Sequence, residues 1–214
     1  MGKLFKLLLW VALVLGVIIG IARLVAIRWW RVPTGDPMLE ASVAPTLRGG
    51  DWVLLWRATA PRFGGLVVCP DPEDPSHIVI GRIVGEERDK LTLDGDRIEL
   101  NDRDALTETM CSESTFRIDD PETGSEVEQQ CELEALGGVL HMRGSAAGLQ
   151  RVPQASSRTV GAGMVFLVSD NRAYHYDSRT YGPVERATCK ESIFFRLVSK
   201  HGFFDVASRL TYVR

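Results

Sequence analysis

The chain opens with a long apolar run. No charged residue occurs in positions 7–22, and at about 1.5 Å per residue this run makes roughly 24 Å of helix. Extending the helix to Ile27 takes in Arg23 and gives roughly 31 Å, close to the bilayer core of about 30 Å. Arg23 can reach the interface along its own aliphatic stem. The pattern therefore predicts that residues 1–31 form a single-pass transmembrane anchor.

Two other interpretations of this run are weaker. A cleaved signal peptide also begins with basic residues before an apolar run, as Lys3 and Lys6 do here, but positions 22–30 offer no good small-residue cleavage site. A buried core helix would be apolar on one side, whereas this run is apolar on all sides. Basic residues lie on both flanks, so charge alone leaves the orientation open.

The rest of the chain has the pattern of short strands. Apolar runs separated by turn signals occupy residues 52–56, 66–69, 77–85, 90–93, 97–100, 160–172 and 191–199. The Asp94-Gly95 pair predicts a hairpin turn. Residues 101–157 differ, because they are acidic, rich in Ser, Thr, Glu and Gly, and only weakly periodic. We expect a mainly β protein with a β core in 32–100 and 158–214 and an inserted cap subdomain in 101–157.

Composition and charge narrow the function classes. The 214 residues carry a formal net charge of −3, which gives no electrostatic reason to bind nucleic acid. Metal-ligand spacing of His, Cys and Asp is missing from the sequence, so we predict no metal and no cofactor. Cys111 and Cys131 can close a loop in the acidic stretch, with the pairing left open. Cys69 and Cys189 end strand-like runs and are interpreted as small buried residues.

Four segments, in order along the chain, resemble the signature blocks of bacterial signal peptidase I, the type I leader peptidases of serine peptidase family S26. They are residues 41–47 (ASVAPTL), 62–68 (RFGGLVV), 80–85 (IGRIVG) and 169–179 (SDNRAYHYDSR). The fourth block is the most specific, because D-N-R followed by D-S-R at this spacing is rare.

The resemblance implies a signal-peptidase-type β catalytic domain and a membrane-bound serine endopeptidase. Such an enzyme removes signal peptides from exported preproteins after small residues. It implies Ser42 as the nucleophile, an N-terminus inside the cell, and a catalytic domain outside the bacterial inner membrane. The expected partners are exported preproteins, the lipid bilayer and the translocon, and nucleic acid is not expected.

The general base is where the sequence departs from the family. Gly81 stands at the position where the family has its lysine, and glycine has no group that accepts a proton. The fourth block has His175 where the family usually has a serine that contacts that lysine. An imidazole has an ordinary pKa near 6.5 and suits a general base. We therefore predict His175 as the candidate base, with Asp177 or, alternatively, Asp170 orienting its ring.

Other interpretations stay open. Lys90 and His77 are weaker candidates for a replacement base. Glu40, Gly65 and Ser169 also depart from the family pattern, which suits a catalytically inactive homologue that binds exported peptides. A processing peptidase dedicated to one secretion or conjugation system is a third, more remote alternative.

Overall fold

The computed structural model describes residues 2–95, 97–145 and 156–213. The predicted cap therefore includes ten positions, 146–155, that lie outside the described residues. The described residues form three α-helices and a 3₁₀ turn: α1 Gly2–Ala26, α2 Pro37–Ser42, α3 Ser178–Tyr181 and the turn Arg186–Thr188.

Fifteen strands are the dominant regular structure of the described residues, which confirms the prediction of a mainly β protein. In chain order they are β1 Ile27–Arg31, β2 Trp52–Trp56, β3 Leu66–Pro70, β4 Ile78–Gly85, β5 Lys90–Asp94, β6 Arg97–Leu100, β7 Arg103–Asp104, β8 Leu106–Asp119, β9 Glu126–Leu136, β10 Val139–Ser145, β11 Ser156–Thr159, β12 Met164–Val168, β13 Val184–Glu185, β14 Glu191–Val198 and β15 Thr211–Tyr212.

Helix α1 is long and apolar enough to cross a membrane, and its described side chains are exposed as far as Val25. Its 25 residues extend about 37 Å. The helix runs directly into β1, and the amide of Arg57 bonds the carbonyl of Ala26 at 2.9 Å. The anchor therefore enters the β domain at one end of strands β1 and β2. An N-terminal apolar helix of this kind fits a membrane anchor.

Within the described part of the chain, the strands form three sheets. The main sheet has the order β1-β2-β14-β3-β4-β12-β13, with β15 on β14. A second sheet, which we call the cap sheet, consists of β10-β9-β8, and a third has the order β11-β5-β6-β7. Strands β5 and β6 pair as the predicted hairpin, with Asp94 opposite Arg97. Alternating side chains of β4 face two different cores: Ile80 packs with Leu39 of α2, whereas Ile83 packs with Leu167 of β12.

Two disulfides close the chain. Cys111 and Cys131 join β8 to β9, as the sequence allowed. Cys69 and Cys189, which we interpreted as small buried residues, are bonded to each other across 120 positions of sequence. That interpretation was incomplete, because two strand ends so far apart in sequence become neighbours only when β3 and β14 pair. Disulfides persist in oxidising compartments.

Candidate active site

Ser42 ends the short helix α2. Asp36 begins the helix as its N-cap, and its carboxylate accepts hydrogen bonds from the amides of Met38 and Leu39 at 3.0 Å each. Pro37 fits the first turn because its fixed φ suits a helix and no amide donor is needed there. Leu39 packs into the core and holds the turn in place. The Ser42 side chain is buried, and its hydroxyl donates to the Leu39 carbonyl at 2.9 Å.

The fourth sequence block meets Ser42 through the main chain. We call residues 170–172 the D-N-R segment. The amide of Asn171 donates to the Ser42 carbonyl at 2.9 Å. The Asn171 side-chain oxygen then accepts from the amides of Ala173 and Tyr174 at 3.1 and 3.2 Å. This turn sets the path of the chain toward His175. The structure therefore brings the first and fourth blocks together.

The third block joins the same place through Arg82. Its guanidinium makes a two-point contact with the Asp170 carboxylate, with both N–O distances 2.7 Å, and both side chains are buried. Burial by itself raises the pKa of Asp170, but the charge and hydrogen bonds of Arg82 lower it below its usual range. A third bond from Arg82 reaches the Gly64 carbonyl at 2.7 Å. Gly64 has φ +76, a conformation that glycine adopts without strain.

Gly81 lies beside this ion pair in the middle of β4. It pairs with Val67 of β3. A side chain at this position would point toward β12. A Cβ built on Gly81 would lie 3.0 Å from the Cβ of Leu167 and 3.6 Å from the amide nitrogen of Val168. Strands β4 and β12 therefore approach so closely here that a side chain at position 81 requires its neighbours to move.

His175 and Asp177 lie on the loop that follows the D-N-R segment. The ring Nδ1 of His175 is 4.0 Å from a carboxylate oxygen of Asp177, and the imidazole is 26% exposed. Asp177 is buried, begins helix α3 as its N-cap, and accepts from the amide of Ser169 at 2.7 Å. Arg179 contacts the same carboxylate at 2.7 Å. Burial opposes the charge of Asp177, but Arg179 lowers its pKa to about 2.

Both other candidate bases lie on the surface. Lys90 belongs to the third sheet, where its ammonium pairs with Asp102 at 2.8 Å. That contact raises the pKa of Lys90, first through the hydrogen bond and then through the charge of Asp102. His77 precedes β4 and bonds Asp74 at 2.9 Å, with 72% of its side chain exposed. A raised lysine pKa is the opposite of what a general base needs.

The other departures from the family pattern have local partners. The Glu40 carboxylate accepts from the amide of Gly35 at 2.8 Å. A Cβ on Gly65 would lie 2.9 Å from the Arg62 carbonyl, so the tight turn there leaves no room for a side chain. Ser169 is buried, and its hydroxyl has no hydrogen-bond partner among the described residues.

Sequence reasoning missed the residues of the cap sheet that contact the site. Glu134 of β9 forms a buried ion pair with Arg172 and a 2.9 Å hydrogen bond with the Nε2 of His141. Gln129 accepts from the Asn171 side-chain amide at 2.9 Å. One signal was available, since Gly137-Gly138 is a hairpin turn that places Glu134 opposite His141.

In the described part of the chain, no three His, Cys, Asp or Glu side chains lie close enough together to hold a metal ion. The described side chains supply the Ser42 hydroxyl, buried carboxylate–guanidinium pairs beside the D-N-R segment and, on the loop that follows, the His175 imidazole.

Comparison with known proteins agrees with the resemblance of the four blocks. A family model described as signal peptidase, peptidase S26, matches residues 4–198. Among solved structures, the chain is similar to a signal peptidase I from Enterococcus faecalis V583. That match has 18% identity and a TM-score of 0.37, and it covers 63% of this chain and 97% of the other. A search of curated proteins gives no match. Because the family model spans most of the sequence, the chain belongs to the signal peptidase family, peptidase S26.

Proposed function

We propose that this protein is a membrane-bound endopeptidase that removes signal peptides from exported preproteins after small residues, with Ser42 as its nucleophile. Membership of family S26 supports the signal peptidase function and the preprotein substrates. The observation that carries the assignment to Ser42 is the 2.9 Å bond from the Asn171 amide to the Ser42 carbonyl. It ties the serine block to the most specific block of the sequence.

In the proposed reaction, the Ser42 hydroxyl turns away from the Leu39 carbonyl and attacks the scissile carbonyl of the preprotein. The hydroxyl proton passes to the His175 imidazole and then to the leaving amine as the peptide bond breaks. Water, deprotonated by the same imidazole, releases the signal peptide from Ser42. An Asp177 carboxylate 4.0 Å from Nδ1 favours the imidazolium that forms transiently.

The choice of Asp177 over Asp170 as orienting group follows from their contacts. Arg82 contacts both oxygens of Asp170, and Arg179 contacts both oxygens of Asp177, so the distance to the imidazole decides between them. Asp177 is also braced, by Arg179, but it is the carboxylate beside the imidazole. We assign Asp170 and Arg82 to holding the D-N-R segment beside Ser42, and Asp177 to orienting His175.

We place the protein in the bacterial inner membrane, crossing once through α1, with its β domain on the outer face where the translocon delivers preproteins. The two disulfides support an oxidising location for the β domain. The test is labelling of spheroplasts with a membrane-impermeant thiol reagent before and after reduction. An external domain reacts in intact spheroplasts only after reduction, whereas labelling that requires lysis would overturn the orientation.

A second candidate function is a peptide-binding membrane protein without catalysis. Gly81 at the base position and the Ser42 hydroxyl bonded to a main-chain carbonyl favour it. The two functions differ in chemistry but share the substrate.

A preprotein cleavage assay with the full chain in detergent tests the assignment. Wild type, Ser42→Ala and His175→Ala are compared with Ser157→Ala and His201→Ala, which change exposed side chains outside the four sequence blocks. We expect both site variants to lose cleavage and both controls to keep it. Cleavage by the Ser42→Ala variant would refute Ser42 as the nucleophile. Cleavage that is lost in Ser42→Ala but kept in His175→Ala would refute His175 as the base. A wild type that binds preprotein without cutting it would favour the second function.

A further inference from the structure

The cap sheet contacts each of the three residues of the D-N-R segment through hydrogen bonds or an ion pair. The amide of Gly144 in β10 donates to the Asp170 carbonyl at 2.8 Å, and Gly144 in turn accepts from the amide of Arg172 at 2.8 Å. Gln129 of β9 bonds the Asn171 side chain. Glu134 of β9 pairs with the Arg172 guanidinium. A segment held at three successive residues has little freedom to move independently of the cap sheet.

The centre of this contact is a pair of buried charges. The side chains of Glu134 and Arg172 are 1% and 0% exposed. Burial opposes ionisation of Glu134, yet Arg172 and His141 lower its pKa to about 2, so the carboxylate stays charged. Two nitrogens of Arg172, Nε and Nη1, have no hydrogen-bond partner among the described residues. Burying charge with incomplete pairing is costly, so such a pair contributes more to geometry than to stability.

The contact is continuous with the nucleophile. Asn171 lies between Asp170 and Arg172, and its amide bonds the Ser42 carbonyl. On the other side of Ser42, the Thr46 hydroxyl donates to the Met142 carbonyl of β10 at 3.4 Å. The cap sheet therefore touches the chain on both sides of Ser42, from Thr46 and from the D-N-R segment.

We propose that the cap sheet positions the nucleophile Ser42. Glu134 is the positioning residue: it fixes Arg172, and thereby the neighbouring Asn171, whose amide bonds the Ser42 carbonyl. The inference gives the inserted sheet a role in the reaction, and its kinetic part rests on the proposed function. A displacement of about 1 Å at a reacting group can cost a factor of about 100 in rate. Glu134 therefore acts on the rate of the chemical step and not on the capture of the preprotein.

The test compares Glu134→Gln with Glu132→Gln in the full chain. Glu132 lies two positions earlier on β9 and pairs with Arg143 instead of the D-N-R segment, so it is a matched control. For Glu134→Gln we expect kcat to fall about 10- to 100-fold while KM changes less than about threefold. Glu132→Gln should keep both constants. Unchanged kcat in a folded Glu134→Gln protein would overturn the proposal, as would an equal loss in Glu132→Gln.

A second readout does not depend on activity. Amide hydrogen exchange of the peptide that contains Asn171 reports the bond to Ser42 directly. We expect faster exchange there in Glu134→Gln than in Glu132→Gln. If the wild type cuts no preprotein, the proposed function fails but this comparison still decides the positioning role. Equal exchange in the two variants would overturn it.

A milder substitution, Gln129→Met, tests the proposal even if Glu134→Gln does not fold. Gln129→Met removes one neutral hydrogen bond to Asn171 and keeps the side-chain volume similar. We expect the same direction of change in kcat and in exchange, with smaller size. Gln129→Met indistinguishable from wild type in both readouts would contradict the proposal even if Glu134→Gln does not fold.

Discussion

A Cβ placed on Gly81 would lie only 3.0 Å from the Cβ of Leu167 on the neighbouring strand β12. A side chain at position 81, where the resemblance to signal peptidase I implies a lysine, would therefore meet β12 with its first carbon. Strand β12 ends at Val168, directly before the segment that bonds Ser42. Changes in the packing of Leu167 therefore reach the candidate active site within a few residues.

Adding a methyl group at position 81 should destabilise the fold. We expect Gly81→Ala to lower the free energy of unfolding by about 1–3 kcal/mol, the usual cost of overpacking. Gly161→Ala is the control, since its Cβ would meet only Met164 Cγ at 3.6 Å. Denaturant unfolding of both variants checks this. Equal stability of Gly81→Ala and wild type would contradict the prediction and show that β12 moves away from position 81 at little cost.

Restoring the lysine should need a second change. Gly81→Lys alone is expected to be unstable and inactive, whereas combining it with Leu167→Gly, which removes the Cβ that a side chain at position 81 would meet, should cost less stability than the sum of the two single changes. The measurement is a double-mutant cycle of unfolding free energies, with preprotein cleavage recorded in parallel. Strict additivity of the two changes would refute the steric explanation.

The Arg82–Asp170 pair should be essential for folding. Asp170→Asn leaves a buried guanidinium without its counter-charge, and removing one partner of such a pair costs about 3–5 kcal/mol. Asp102→Asn is the control, because it breaks the exposed Lys90 pair and should cause no measurable change. Thermal and denaturant unfolding compare the two. A small loss in Asp170→Asn would mean that water reaches Arg82.

Stability should fall as the solution becomes mildly acidic, and His141 is the reason. The groups that act on it are Glu134 of β9, Arg82 of β4 and Asp170 after β12. Burial lowers the pKa of His141 below its ordinary value of 6.5, followed by the charge of Arg82, although Glu134 and Asp170 oppose this. The unfolded chain then binds a proton below pH 6.5 that the folded chain does not. The free energy of unfolding should decrease as pH falls through this range, by at most about 1.4 kcal/mol per pH unit.

A further loss should follow at lower pH. Glu134 has an ordinary pKa of 4.5 that the fold lowers to about 2. Its contribution is fully present above pH 4.5 and disappears as pH falls toward 2. Urea unfolding across pH 7 to 3 should show both phases. His141→Gln should flatten the first phase, whereas His201→Gln, on an exposed loop, should leave it unchanged; an unaltered slope in His141→Gln would contradict the assignment.

The disulfide between Cys69 and Cys189 should contribute more stability than the one between Cys111 and Cys131. It closes 120 positions of sequence against 20, and the entropy of loop closure in the unfolded chain grows with loop length, from about 3 kcal/mol at 15 residues to about 4.7 at 100. Paired Cys→Ala variants of each bond, unfolded without reductant, provide the comparison. A larger loss from the shorter loop would refute the chain-entropy explanation.

The sequence by itself determined the parts of this protein that depend on neighbouring residues. The apolar run up to Ala22 predicted the helix α1, short apolar runs separated by turn signals predicted strands such as β2 and β4, and the ordered blocks around Ser42 and Asn171 indicated the family. Each of these signals is local, because a helix, a strand or a turn reflects the preferences of residues a few positions apart.

Only the tertiary structure decided what distant segments do to one another. Pairing of β3 with β14 makes Cys69 a partner of Cys189, and the approach of β12 closes the space beside Gly81. The cap sheet brings Glu134 to Arg172 beside the serine block. These contacts depend on strand order and sheet packing, which arise from the burial of the whole core and leave no mark on a short stretch of sequence.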